Sequence, residues 1–489
     1  MKSIPMNQFD NNMQKIILLF GMIEIIIGFS GVILADFFSI FNLLTILSGA
    51  AGLIALFFCI LQPAKIKSYD LLAMAMVLAY GTGTLNSLVM YALDGMDLLK
   101  RSNVEEYWLT RTLGLATAAA GFLHVLGRAD NNSYLFNDFS INESDKKRLL
   151  WFGIIILTLV LIYIATGKLG FMGDVGVAKG YVNVAPTSAI LLDLILPVGA
   201  VLLLAGMKEN DPKIKLIFTV LALSLVIVQF GFGRRVFVFS VLIYTMVFFF
   251  TAKSFRLVSL KNIIVFVLIG ISIQVVTTSF SVLRISTYEN KNQERTIFEM
   301  LPDAIKVYRD KDFYHVDEQI HNNLRSRTFV LEYLASIDKS LETIEPTYGN
   351  NLLRALVVSI PSVLYPSKFI NGLFMTEEQY INPHFRLPMK DSSNSTLTGS
   401  LSDFGELGMF FIPFLFAFIY ARVLSVSRKH ISRISSIFLG LLFAYKLLSI
   451  EGDITVFFGT LRFSLIFMLI LWFVFNFNKK TLPFKSALN

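Results

Sequence analysis

Runs of apolar residues long enough to cross a bilayer follow one another along this chain, and a polar stretch of about 120 residues, 284–402, breaks the series late. Taking about 17 to 25 apolar residues as one span, the pattern predicts helices near 16–34, 38–61, 71–93, 108–126, 149–166, 187–206, 214–230, 235–252, 261–283, 403–424, 434–450 and 454–477. The expected fold is an all-α integral membrane protein of about twelve transmembrane helices with a large, partly helical loop. It divides into membrane helices over 1–283, the loop over 284–402, and membrane helices with a tail over 403–489. Loops this long between spans carry function more often than they merely connect.

Periodicity continues inside the loop. Phe329, Val330, Tyr333, Leu334, Ile337 and Leu341 recur at helical spacing, while Glu332, Asp338, Lys339 and Glu342 fall elsewhere. This predicts an amphipathic helix packed on the membrane helices. The run Leu352 to Leu364 is too short to span and contains Pro361. It reads as an interfacial or re-entrant segment that starts at the turn Tyr348-Gly349-Asn350-Asn351.

Composition agrees with the membrane class: 55% hydrophobic residues, 46 Phe, 16% charged residues and a mean hydropathy of +0.64. The net charge of +8 does not point to nucleic acid, because the basic residues form short clusters between apolar runs. The single cysteine, Cys59, excludes a disulfide and a cysteine metal site and reads as packing. The first apolar run follows a short tail with Lys2 and lacks a small-residue cleavage motif, so it is expected to stay as a helix.

Lysine and arginine concentrate in alternate connections: Lys2, Lys65, Lys67, Lys146, Lys147, Arg148, Lys208, Lys213, Lys215, Lys253, Arg256, Lys261, Arg428, Lys429, Arg433, Lys479 and Lys480. Positive charge stays inside, so both termini are expected in the cytoplasm and the loop outside. Charges within apolar runs are costly and count as functional candidates: Glu24, His124, Asp193, Lys446 and Arg462. With that orientation, a rise of 1.5 Å per residue puts Lys446 roughly 6 Å, Asp193 about 10 Å and Arg462 about 13 Å below the outer surface. Structural ion pairs would explain those three equally well, and Glu24 and His124 read as hydrogen-bonding groups within the bundle. The outer turn Gly231-Phe232-Gly233-Arg234-Arg235 offers an anion two guanidinium forks, although interfacial snorkelling accounts for either arginine alone.

Cationic groups beneath an outer loop suit a lipid-linked anion such as a polyprenyl diphosphate, which arginine binds bidentately without a metal. Asp310-Lys311-Asp312 matches a metal-binding DxD pattern but reads as a solvated charge run, and no HExxH, GxSxG or Walker loop is present. No cofactor is expected.

The second half of the loop and the helix after it carry a further set of motifs: Tyr348-Gly349-Asn350-Asn351, Ile360-Pro361-Ser362, Tyr365-Pro366-Ser367-Lys368, Pro383-His384-Phe385-Arg386, Asn394-Ser395-Thr396 and Ser402-Asp403-Phe404-Gly405-Glu406-Leu407-Gly408. Together they resemble the Wzy-type polymerases of O-antigen and other surface polysaccharides, which are related to the O-antigen ligases. The motif resemblance covers about 348–408, and the resemblance of architecture covers the chain. It implies a GT-C-like membrane glycosyltransferase of the bacterial inner membrane. Such an enzyme transfers a growing glycan from undecaprenyl diphosphate to a new lipid-linked repeat unit. The partners it implies are the lipid-linked donor and acceptor, the bilayer and a chain-length regulator protein.

Carried onto this chain, the resemblance makes Arg234, Arg235 and Arg284 candidates for the diphosphate, supported by Lys368, His384 and Arg386. His384 would act as general base on the acceptor hydroxyl, histidine being the side chain that titrates nearest neutrality; a surface histidine would look the same. Arg284 is grouped with it as catalytic, Lys446 and Arg462 with the diphosphate, and Asn394, Ser395, Asp403 and Asp193 with the sugars, a turn role explaining Asn394 and Ser395 equally well. Asp403 and Glu406 stand three apart where a helix is expected to begin, so an N-cap with a capping-box partner also explains them. An O-antigen ligase-like transferase and a polysaccharide flippase or other transporter remain the competing classes.

Overall fold

The computed structural model describes residues 6–37, 39–61, 66–130, 134–135, 141–166, 186–230, 240–245, 302, 330–361, 364–366, 376–387, 395–448 and 453–476. Its helices are α1 (Met6–Leu34), α2 (Phe41–Leu61), α3 (Ser68–Met76), α4 (Gly83–Leu93), α5 (Leu98–Arg101), α6 (Glu106–Ala129), α7 (Glu143–Ala165), α8 (Pro186–Met207) and α9 (Pro212–Phe230). In the later part follow α10 (Leu331–Ser340), α11 (Asn350–Ser359), α12 (Glu377–His384), α13 (Thr396–His430), α14 (Arg433–Leu448) and α15 (Ile454–Asn476). Among the described residues eight helices are long and apolar enough to cross a membrane, and the one β-pairing is an isolated bridge between Lys67 and Tyr134. The protein is an all-α, multi-pass membrane protein.

A described helix occupies every expected run except two. Of 235–252 only 240–245 is described, as helix, and 261–283 lies outside the described residues. The helix expected to begin at Asp403 begins at Thr396 instead. Hydrophobicity alone missed that first turn, which is made of Ser, Thr, Gly and Leu yet is buried throughout.

The chain falls into two compact units. The first comprises Met1–Leu135, Phe313–Arg422 and Phe443–Arg462; the second comprises Phe136–Asp312, Val423–Leu442 and Phe463–Asn489. In the first, α1 lies against α6 through small residues: a Cβ at Gly28 would stand 2.5 Å from the Gly114 carbonyl and from the Ala118 nitrogen. Such close backbone approach is how helices associate where lipid removes the hydrophobic drive. Between α3 and α4 the residues Val77–Thr82 form a π-helical turn, and the Thr84 hydroxyl donates to the Tyr80 carbonyl at 2.5 Å. In the second unit, Phe152 of α7 meets Phe438 and Phe475 edge to face, at 6.0 and 6.3 Å. There Lys146 also reaches Glu209 at 2.7 Å.

The amphipathic loop helix is present as α10, and it packs on α6 within the first unit. Leu331, Leu334, Ala335 and Ile337 are fully buried, each large aliphatic side chain stabilising by about 1.5–3 kcal/mol. Asp338 corrects the expectation of a polar outer face. It is 2% exposed and accepts from Arg111 at 2.6 Å and from the Thr112 hydroxyl at 3.0 Å. Arg111 also pairs with Glu406, and Lys339 with Glu105 at 2.8 Å.

Candidate functional site

The described part of the loop meets the starts of α13 and α15 at one polar cluster, and α11 is its central element. Tyr348 (φ 50) and Gly349 (φ 84) are both left-handed, a turn that tyrosine adopts only at a cost and glycine adopts freely. The chain then enters α11 and ends it before Pro361, as expected for an X-Pro step. The first amides of α11 would otherwise be orphaned. Asn351 N and Leu352 N donate to the Asp403 carboxylate at 3.0 and 2.7 Å, and the Thr347 hydroxyl donates to it too. Thr347 N meanwhile donates to Ser402 O at 2.8 Å.

Asp403 is therefore not the cap of its own helix. It lies seven residues inside α13, next to a break where Phe404 (φ −133, ψ 15) and Gly405 (φ 62, ψ −155) leave helical geometry. That break turns Asp403 toward α11, where an anion opposes the positive end of the helix dipole. Glu406, expected as its capping-box partner, pairs with Arg111.

The buried face of α11 is polar: Asn351, Arg354 and Ser359 lie inward with Ala355, while Leu353 and Leu356 are 58% and 46% exposed. Arg354 donates from Nε and Nη2 to Asn351 Oδ1 at 3.3 and 3.1 Å and lies 5.6 Å from the Tyr380 ring centroid. Thr376 and Gln379 close a reciprocal capping box at the start of α12, which places Glu377 in its first turn. Glu377 Oε2 accepts from Ile454 N at 3.1 Å, and Asp453 caps α15 by accepting from Val456 N at 2.8 Å.

Three carboxyl groups, Glu377, Asp403 and Asp453, thus share the field of one guanidinium, Arg354. Burial, reinforced by Asp453, holds the Glu377 carboxyl well above the usual range against the pull of Arg354. Burial also raises Asp453, which hydrogen bonds and Arg354 oppose. A Cβ at Gly399 would collide with Glu377 Oε1 and stand 3.0 Å from Asn351 Nδ2. Ser395, just before α13, accepts from Leu397 N and Thr398 N at 3.2 Å each and shares a hydrogen bond with Tyr80 of the π-helical turn. A π-helical turn re-aims one side chain and often marks a site of function.

Among the described residues Glu377 Oε1, Asn351 Nδ2 and Asn382 Nδ2 are buried without a hydrogen-bond partner. The chemistry of the cluster suits hydroxyl groups, which both donate to carboxylates and accept from amides.

The expected site residues are placed unevenly. Arg234, Arg235, Arg284, Lys368 and Asn394 lie outside the described residues, as do the two aspartates of the DxD pattern and the Cys59 side chain. Ser395 and Asp403 are fully buried within the cluster. His384 stands exposed in the last turn of α12, its Nε2 2.9 Å from the Glu345 carbonyl. A carbonyl only accepts, so Nε2 carries the proton and the neutral ring keeps its lone pair at Nδ1. Arg386 follows at φ 55. Arg462 donates to Ser359 O at 2.9 Å, holding the last residue of α11. Lys446 is half-buried, 5.2 Å from the Tyr445 ring, and Asp193 is a half-buried residue of α8 in the second unit.

Glu377 and Tyr80 were not singled out from the sequence, Asn351 entered only within its motif, and Arg354 was one of several loop arginines among which the sequence makes no choice. The Thr376-Glu377-Glu378-Gln379 pattern is a helix-start signature that marks α12 and would have pointed to Glu377. Tyr80 carries no such signal. No family model, curated protein or solved structure matches the chain.

Proposed function

We propose that the protein is a glycosyltransferase of the polysaccharide polymerase class. In this reading it joins repeat units carried on undecaprenyl diphosphate at the outer face of the bacterial inner membrane, and both termini are cytoplasmic. The supporting observation is that the motif segments around Tyr348-Gly349-Asn350-Asn351 and Ser402-Asp403-Phe404-Gly405 dock on each other through Asp403, Thr347 and the first amides of α11.

The acidic cluster beneath that junction would receive the sugar of the acceptor. His384 would take the proton of the attacking hydroxyl at Nδ1, fixed in that role by the Glu345 carbonyl. The diphosphate would lie with the arginines Arg234, Arg235 and Arg284, whose charge would stabilise the leaving group without a metal. The division of labour is one of charge: cations for the donor, carboxyls and amides for the acceptor.

A second reading, transport across the membrane, is favoured by one observation, the buried Glu24–His124–Asp70 network in the first unit. The gel ladder of surface glycan separates the readings. Cells lacking the protein are expected to carry single repeat units, and His384→Ala is expected to reproduce that loss while the protein still inserts. Long lipid-linked polymer in the deletion strain would instead indicate a ligase. An unchanged ladder would refute the polymerase.

A further inference from the structure

In the first unit, α1, α3 and α6 enclose a line of ionisable groups that glycosyl transfer does not use. Glu24 is fully buried in a span. Both of its carboxyl oxygens and His124 Nε2 lack a hydrogen-bond partner among the described residues. His124 Nε2 stands 3.8 Å from Glu24 Oε2, and its Nδ1 stands 3.0 Å from Asp70 Oδ1. Asp70 in turn pairs with Arg128, which also bonds Gln14. Lys67 Nζ donates to the Gly127 and Asp130 carbonyls at 2.6 and 2.8 Å, and Arg422 of α13 approaches Asp130 at 3.8 Å. From α2 no acidic or basic side chain enters.

Asp70 is held by Arg128 as an acceptor, so His124 Nδ1 carries a hydrogen. That leaves Nε2 facing Glu24, across a gap too narrow for a bridging water. Were Glu24 ionised opposite a bare Nε2, a carboxylate and a lone pair would face each other in a dry helix interface where no donor compensates either. One proton on the pair removes the conflict, whether it is written as a carboxylic acid facing Nε2 or as an imidazolium ion-paired with a carboxylate at 3.8 Å.

We propose that Glu24 and His124 form a proton-binding site inside the membrane domain, holding one proton between Oε2 and Nε2. Asp70, paired with Arg128 and accepting from Lys67 N at 3.2 Å, connects it toward the end of the bundle where Lys67 lies. Unloading is a relay in which Glu24 gives its proton to Nε2 while Nδ1 gives its own to Asp70, so the imidazole changes tautomer, Asp70 ends protonated, Glu24 ends ionised and net charge is conserved; loading is the reverse. The site can therefore load and unload by that route.

The full-length protein in lipid vesicles tests this by two spectra. Infrared difference between wild type and Glu24→Gln is expected to show a protonated carboxyl stretch that shifts in His124→Gln. Alternatively, nitrogen NMR of labelled histidines is expected to show His124 doubly protonated, its signal identified by loss in His124→Gln. Either result places one proton on the pair. An ionised Glu24 beside a neutral His124 whose Nε2 accepts no hydrogen bond overturns the proposal. So does a Glu24 band that is indifferent to His124→Gln. The nitrogen spectrum needs no Glu24 variant, so a Glu24→Gln protein that fails to fold leaves the proposal refutable.

Discussion

Glu377 is the side chain in the polar cluster whose ionisation is held furthest from its ordinary behaviour. Its Oε2 accepts the Ile454 amide, Oε1 is buried against Gly399, and Asp453 lies close by. The folded protein therefore binds the Glu377 proton more tightly than the unfolded chain, whose carboxyl titrates near 4.5. By linkage the stability this provides is fully present below that value and is lost as pH rises through the higher folded value. Thermal unfolding in detergent is expected to show a midpoint that declines over this window. In Glu377→Gln, which cannot ionise, the decline should be shallower, with Asp453 still contributing. Parallel pH profiles for wild type and variant would show that Glu377 is not the group responsible.

Among the elements, α10 shows how much the loop depends on one arginine. Arg111 joins Asp338 of α10 to Glu406 of α13, with its guanidinium 5.3 Å from the Trp108 ring. Arg111→Ala leaves the buried Asp338 carboxylate with only the Thr112 hydroxyl. Removing one partner of a buried pair costs about 3–5 kcal/mol. The double variant Arg111→Met with Asp338→Leu is expected to recover most of that in denaturant unfolding, because it removes both charges. A loss for Arg111→Ala no greater than for an exposed substitution would mean the pair does not hold α10 down.

The same elements show what the sequence could yield. Periodicity located α10 and its apolar stripe, because a 3.6-residue repeat and an amphipathic helix are the same fact. It assigned Asp338 to the wrong environment, because the compensating cation lies 227 residues earlier in the chain. Pro361 and the Tyr348-Gly349 turn likewise bracketed α11, yet its polar inward face follows from Asp403 and Arg462 arriving from other helices. The π-helical turn at Tyr80 left no trace in the hydropathy, and the break at Phe404-Gly405 was missed because the polar residues before it placed the start of the helix at Asp403 rather than at Thr396.

For the whole molecule, the direction of insertion and the environment of α11 can be measured together. The leucines Leu353 and Leu356 point away from the protein while Asn351, Arg354 and Ser359 point into it. In water that arrangement would be inverted, whereas at a lipid interface it is the stable one. Exposed His384, by contrast, belongs in an aqueous phase if it is to serve as a base. The chain has one cysteine, so Cys59→Ala gives a background into which single cysteines can be placed. In intact spheroplasts a membrane-impermeant maleimide is expected to label His384→Cys and to spare Leu353→Cys, even after the membrane is permeabilised. A lipid-soluble maleimide should then reach Leu353→Cys. Labelling of His384→Cys only after permeabilisation would put the loop in the cytoplasm, and with it would fall the outer-face transferase. Ready aqueous labelling of Leu353→Cys would leave the orientation standing and remove the lipid contact of α11.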